Sequence, residues 1–260
     1  MLSFPHAKIN LGLRIICKRP DGFHDLETCF FPVPEVFDAL EMCPSQESSL
    51  EIYGMEWNEP QEANLVWKAM DLFRKEEPSL PPLSWFIQKK IPTGAGLGGG
   101  SSDASFALRM MAKYCNWNSD DPRLLKIAAT LGSDCTFFLQ DQAMLGSGRG
   151  EILEAFPVDL SAYEIRFVFP GIHISTAKAF AGIKLSQPEM ALTEILSMPV
   201  ETWKCHLNND FEQSLFTQFP ELKASKEKLY EDGAEYAAMS GSGSTIFGLF
   251  KKQKSGGSRN

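Results

Sequence analysis

Residues Ile91 to Ala104 read IPTGAGLGGGSSDA, and five glycines in fourteen residues do not make a packed core. Glycine loses more conformational freedom on ordering than any other residue, so such a cluster needs a backbone reason. The reasons available are tight turns, positive φ, and main-chain N–H groups brought close to a ligand. Upstream, Ser84 to Ile91 reads as a strand. Downstream, Ala104, Ala107, Leu108, Met111, Ala112 and Cys115 fall on one helical face. Ser101 or Ser102 is the expected cap of that helix, with Asp103 in its first turn.

Three templates compete for the stretch. Gly94, Gly96 and Gly99 match the spacing of a dinucleotide fingerprint. That unit needs a second strand after the helix, ending in an acidic residue about 20 positions on. Here Asp121-Pro122 opens another helix, which runs to Gly132. Gly94 and Gly99 also have the spacing of a Walker A loop, but Gly100 stands where its lysine belongs. What remains is a nest of N–H donors at a helix start, beside the positive end of the helix dipole, which is a phosphate site. The hydroxyls of Ser101 and Ser102 would add contacts to phosphate oxygens or to Mg²⁺.

From Ala7 to Ile15 the chain alternates, which predicts a strand. Ala7, Ile9, Leu11, Leu13 and Ile15 are expected on one face, and Lys8, Asn10, Gly12 and Arg14 on the other. Alternation leaves open whether Lys8 and Asn10 face solvent or a cleft. Pro20-Asp21-Gly22 is a turn signal, followed by a strand-like run from Leu26 to Val33. Asn64 to Lys75 has helical spacing. Near Pro157 the chain crosses into a second half, giving domains 1–156 and 157–260. That half is expected to hold a strand from Tyr163 to Phe169 and a loop entering a helix at FPGIHISTAKAF. A helical hairpin from Glu189 to Glu231 is expected next, then a second glycine-serine loop before a strand from Thr245 to Phe250.

Composition narrows the function classes. With 25 basic against 33 acidic residues the net charge is −8, which argues against nucleic-acid binding. The six cysteines are scattered, and the four histidines show no ligand spacing, so neither a disulfide framework nor a structural metal is expected. No apolar run approaches the ~20 residues that span a bilayer. The first residues resemble neither a signal nor a transit peptide, which makes a cytoplasmic protein the expectation.

The stretch PTGAGLGGGSSDA resembles the phosphate-binding motif of the galactokinase, homoserine kinase, mevalonate kinase and phosphomevalonate kinase (GHMP) superfamily. AKINLGL, from Ala7 to Leu13, resembles its first motif, and MSGSGSTIFGLF, from Met239 to Phe250, its third. The implied fold is α+β with two lobes and the active site between them. The N-terminal lobe would be like domain 2 of ribosomal protein S5, and the C-terminal lobe would be ferredoxin-like. In detail the chain is similar to one kinase family within that superfamily, the diphosphocytidyl-methylerythritol kinases. AKINLGLRI, RPDGFHDLET, LGSDCTFFL, PGIHISTAKAF and NDFE (Asn209 to Glu212) carry that likeness.

That resemblance implies ATP as co-substrate, with Mg²⁺, and a cytidylyl alcohol as acceptor of the γ-phosphoryl group. It assigns Lys8 and Asp134 to catalysis. Asn64, Pro92, Gly94, Ala95, Gly96, Leu97, Gly98, Gly99, Gly100, Ser101 and Ser102 would hold the nucleotide. Asn10, Phe23, His24, Phe30, Thr176, Phe180, Gly241, Ser242 and Gly243 would hold the acceptor. His24 would read the cytosine edge while Phe23 and Phe180 stack on its ring; the family usually has tyrosine where this chain has Phe23. The chemistry is coherent, because a carboxylate can accept the hydroxyl proton and an ammonium can stabilise developing phosphoryl charge. Taken alone, Asp134 would be a cap after Gly132, Lys8 a strand lysine, Phe30 a core residue and Asn64 an N-cap. A sister kinase of the superfamily and a non-catalytic ligand sensor are the rival readings. A monomer or weak dimer, with no membrane partner, completes the expectation.

Overall fold

The computed structural model describes every residue except 184, 186–188 and 254–260. The first half runs β1 (Leu2–Ser3), β2 (His6–Lys18), β3 (His24–Phe37), β4 (Ala39–Pro44), β5 (Ser49–Tyr53), α1 (Leu65–Glu76) and β6 (Leu83–Gln88). It continues through α2 (Gly99–Tyr114), α3 (Pro122–Leu131), α4 (Ser133–Phe137), β7 (Met144–Ser147) and β8 (Ile152–Ala155). The second half holds β9 (Tyr163–Val168), α5 (Thr176–Ala181), α6 (Leu192–Leu196), α7 (Val200–His206), α8 (Phe211–Gln218), α9 (Pro220–Glu231), β10 (Tyr236–Met239) and β11 (Ile246–Lys251).

The strands form three sheets, ordered β1-β4-β6-β5, β2-β3-β7-β8 and β10-β11-β9. Among the described strands only β5 and β6 pair in parallel, with α1 as their crossover. Helices α1, α2 and α3 cover the first sheet. Trp85, Met42, Phe73, Met111 and Ile127 close that core. A second core joins Ala7, Ile9 and Leu11 of β2 to Trp203, Tyr236 and Phe247. Fully burying one such large side chain contributes roughly 2–3 kcal/mol. The arrangement is an α+β fold, with no membrane-crossing helix among the described residues.

The expectation that five apolar residues of β2 share one face is corrected by a bulge at Gly12. Leu11 lies opposite Cys29 and Leu13 opposite Thr28, so Gly12 is the extra residue, and its φ is +71°. The insertion moves Leu13 and Ile15 into a different core from Ala7, Ile9 and Leu11. It also puts Leu13 on the same side as Lys8 and Asn10, lining the cleft.

Two more expectations change. The helical hairpin is four short helices, α6 to α9, because Pro199 and Pro220 start new helices and Asn209 interrupts the run between them. The cap of α2 is neither serine: Gly98 holds the N-cap in the left-handed region, φ +73°, with no side-chain cap. By contrast Asn64 caps α1, accepting from the Val66 N–H at 2.8 Å, and Asp121 caps α3.

Candidate active site

β2 delivers two polar side chains to the floor of the cleft. Lys8 and Asn10 are 3% and 2% exposed, so the question that alternation left open is settled for the interior. The Lys8 Nζ donates to Asn10 Oδ1 at 2.7 Å and lies 3.5 Å from Asp134 Oδ2. The Asn10 amide donates to Thr28 Oγ1 at 3.0 Å, and that hydroxyl donates to the bulged Gly12 carbonyl. The Lys8 ammonium, the Asn10 amide and the Thr28 hydroxyl thus form one directed chain. Asp134 sits in the first turn of α4, started by Gly132 directly after α3. Phe30, opposite Asn10 on β3, places its ring 5.4 Å under the Lys8 ammonium.

The glycine stretch wraps over this pair. Gly94, Gly96 and Gly98 all have positive φ, and a Cβ on Gly96 would lie 2.0 Å from the Ser240 carbonyl. Glycine is required there because another backbone occupies the space. With no side chain capping α2, its first N–H groups are left for an anion. The Leu97 carbonyl instead turns inward and accepts from the Lys8 N–H at 3.0 Å.

A buried ion cluster anchors both ends of the loop. Asp38 accepts from the Ile91 N–H at 2.9 Å and pairs with the Lys89 ammonium, which also lies 2.7 Å from Asp103 on α2. Burial pushes the Asp103 carboxyl up to about 7; the Lys89 charge opposes that shift and the Asp38 charge adds to it. Asp103, expected in the first turn of the helix beside its dipole, is therefore an interior anchor.

Together these elements line a cleft of about 520 Å³. Of the expected nucleotide residues, Pro92, Gly94, Ala95, Gly96, Gly98, Gly99, Gly100 and Ser101 line it. Leu97 and Ser102 are fully buried beneath it, and the Ser102 hydroxyl has no partner among the described residues. Asn64 lies beside the cleft as the α1 cap, with Leu65 reaching in. Of the expected acceptor residues, Asn10, Phe30, Thr176, Phe180, Gly241 and Ser242 line it, whereas Gly243 does not. His24 stacks directly on Phe180, centroids 4.9 Å apart and planes 22° apart. Phe23 stands 53% exposed on the rim, with the Arg149 guanidinium 5.0 Å over its ring. The face of Phe180 expected to stack on the cytosine ring is thus covered by His24 in this structure.

Sequence reasoning missed Arg149, His173, Thr28 and Phe211, which all line the cleft or its wall. The period-two register could have found Thr28, two residues before Phe30. Nothing local marks Arg149, because its place depends on how the turn between β7 and β8 folds back.

Comparisons with known proteins agree with this geometry. Models of the GHMP kinases N terminal domain and the GHMP kinases C terminal region match residues 64–148 and 202–257. The fold and the glycine-lined cleft define a GHMP kinase. The 4-diphosphocytidyl-2-C-methyl-D-erythritol kinase of Parabacteroides distasonis is 44% identical over 97% of this chain and 92% of its own length. That of Bacteroides thetaiotaomicron is 46% identical over 97% and 93%. A crystal structure of 4-(cytidine 5'-diphospho)-2C-methyl-D-erythritol kinase superimposes with a TM-score of 0.81 at 31% identity, covering 96% of this chain and 90% of that one. A mevalonate kinase structure, at TM-score 0.68 and 12% identity, shares the fold. The chain belongs to the 4-diphosphocytidyl-2-C-methyl-D-erythritol kinase family.

Proposed function

We propose that this chain transfers the γ-phosphoryl group of ATP to the C2 hydroxyl of 4-diphosphocytidyl-2-C-methyl-D-erythritol. The products are the 2-phosphate and ADP, in the non-mevalonate route to isoprenoids. The observation that carries the reading is the Lys8–Asp134 pair at 3.5 Å, beneath a loop of backbone donors and in a family whose named members are this kinase. In this reading the Asp134 carboxylate takes the C2 hydroxyl proton as the oxygen attacks phosphorus. Lys8, oriented by Asn10, stabilises negative charge on the transferred group. The N–H groups of Gly98 to Ser101 hold the β- and γ-phosphates.

Mg²⁺ would arrive on the nucleotide. Among the described residues no cluster of three acidic, histidine or cysteine side chains exists to hold an ion. The Ser101 hydroxyl and the Asp134 carboxylate are the cleft-lining oxygens suited to it. When bound, the ion neutralises phosphate charge. His24 and Phe180 would part to admit the cytosine ring, with Thr176 and Phe30 completing the acceptor wall. We treat residues 1–156 and 157–260 as two domains; the sheet β10-β11-β9 draws all its strands from the second.

A coupled assay for ADP release tests the reading with the cytidylyl alcohol, mevalonate and homoserine as acceptors. Turnover with the cytidylyl alcohol is expected. Turnover with either other acceptor in its place would overturn the assignment.

A further inference from the structure

The Asn209–Glu212 tetrapeptide, NDFE, is given no chemistry by the site above, yet it touches most of the site's parts. Asp210 accepts from the Ile15 N–H at 2.7 Å, and its own N–H donates to the Leu13 carbonyl at 2.8 Å. Both bonds fasten the start of α8 to β2 directly after the Gly12 bulge. Phe211 packs edge-on against Phe180, centroids 4.9 Å apart. Glu212 accepts from the Met239 N–H at 2.7 Å and is neutralised by Lys226 at 2.6 Å.

Asn209 makes the most directed contacts of the four. It is 3% exposed, and its amide nitrogen donates to both the Met239 and the Gly241 carbonyls at 2.8 Å. Its Oδ1 accepts from the Phe211 N–H at 3.0 Å, so the amide cannot be reversed without losing all three bonds. The loop it holds is wedged between donor and acceptor machinery. Ser240 Oγ donates to the Gly96 carbonyl at 2.9 Å, and the Thr245 N–H to the Ala95 carbonyl at 3.2 Å. The side-chain position of Gly241 lies 3.2 Å from the Gly96 carbonyl and 3.4 Å from Asn10 Oδ1, the atom that orients Lys8.

We infer that Asn209 is a positioning residue: its two amide hydrogens seat the Gly241–Ser242 loop against Asn10 and the phosphate loop, and so set the acceptor relative to the transferred phosphoryl group. This rests on the functional reading above. A misplacement of about 1 Å at such a point costs on the order of a hundredfold in rate. The phosphate loop has its own anchors in Asp38, Lys89 and Asp103, so nucleotide affinity is expected to depend less on Asn209 than acceptor affinity does.

Asn209→Asp tests this, because it keeps the shape of the side chain and turns the double donor into an acceptor facing two carbonyls. The variant, verified as folded by circular dichroism, is expected to lose at least tenfold in kcat and to raise the KM for the cytidylyl alcohol. Its Kd for a non-hydrolysable ATP analogue should stay within threefold of wild type. Hydrogen exchange of the 239–245 peptide should accelerate, while the 92–102 peptide stays protected. Lys226→Met is the comparison for a purely structural effect: it should lower the melting temperature and leave kcat within threefold. The inference is overturned if folded Asn209→Asp keeps kcat within threefold, or loses nucleotide and acceptor affinity equally. A wild-type chain that does not phosphorylate the cytidylyl alcohol overturns the functional reading instead. The exchange measurement then decides the Asn209 clamp, and unchanged exchange in Asn209→Asp overturns it.

Discussion

Lys8 Nζ stands 3.5 Å from Asp134 Oδ2, with the ammonium side chain 4% exposed and the carboxylate 32%. The difference sorts their tasks. The cation is fixed inside the protein by Asn10, while the carboxylate opens to the cleft where a substrate hydroxyl would lie. Asp134→Asn removes the proton acceptor and keeps the shape of α4. Its kcat should fall by roughly 10²–10⁴-fold, with little change in binding of an ATP analogue. Single-turnover kinetics beside equilibrium binding would measure both, and a kcat within a few-fold of wild type would remove Asp134 from the proposed chemistry.

Gly96 offers a test of the donor loop. With φ at +80° and the Ser240 carbonyl 2.0 Å from any added Cβ, Gly96→Ala must push two loops apart. The KM for ATP should rise at least tenfold, and the melting temperature should drop by several degrees. Gly100→Ala is the comparison, since among the described residues the nearest side chain to its added methyl is Leu65 at 3.7 Å. It should cost far less. Equal effects from the two substitutions would show that loop docking is not what demands glycine.

The stacked His24–Phe180 pair gives a prediction about the acceptor. Aromatic stacking contributes about 1 kcal/mol beyond buried area. Phe180→Ala should therefore raise the KM for the cytidylyl alcohol by roughly tenfold or more, leaving the KM for ATP unchanged. Phe23→Tyr should change either KM by less than threefold, because Phe23 stands on the exposed rim. Initial-rate kinetics with each substrate varied in turn would show the split, and a rise in the KM for ATP alone would put Phe180 on the wrong side of the cleft.

The buried Lys89–Asp38–Asp103 cluster predicts a pH dependence. An acid with a raised folded-state pKa holds its proton more tightly folded than unfolded. Asp103 therefore favours the folded state below the ordinary value of 3.8 and loses that contribution as pH climbs through about 7. Asp103→Asn removes the slope. Its melting temperature relative to wild type should rise between pH 4.5 and pH 8, as differential scanning calorimetry would show. A constant difference across that range would mean that Asp103 stays ionised throughout.

Much of this site was legible in one dimension, because the features concerned are local. Five glycines before a helical face imply a donor nest wherever the chain goes. Asn64 and Asp121 cap helices because capping is a contact between near neighbours. The alternation of β2 showed a strand, and the resemblance of three motifs selected the kinase reading of its polar face. Tertiary structure decided the rest. One inserted residue at Gly12 changes which side chains face the cleft, and alternation carries no mark of a bulge. By sequence Ser102 is a candidate cap and Asp103 a first-turn residue, yet Gly98 holds the N-cap and both side chains are buried. The placement of Arg149, the stacking of His24 on Phe180 and the hold of Asn209 on the Gly241 loop join segments far apart along the chain. The amino-acid sequence alone therefore determined where a run of backbone donors meets the start of α2. Only packing between distant segments decided how donor and acceptor loops meet, because contacts of that kind are energetic terms of the folded state and leave no period in the sequence.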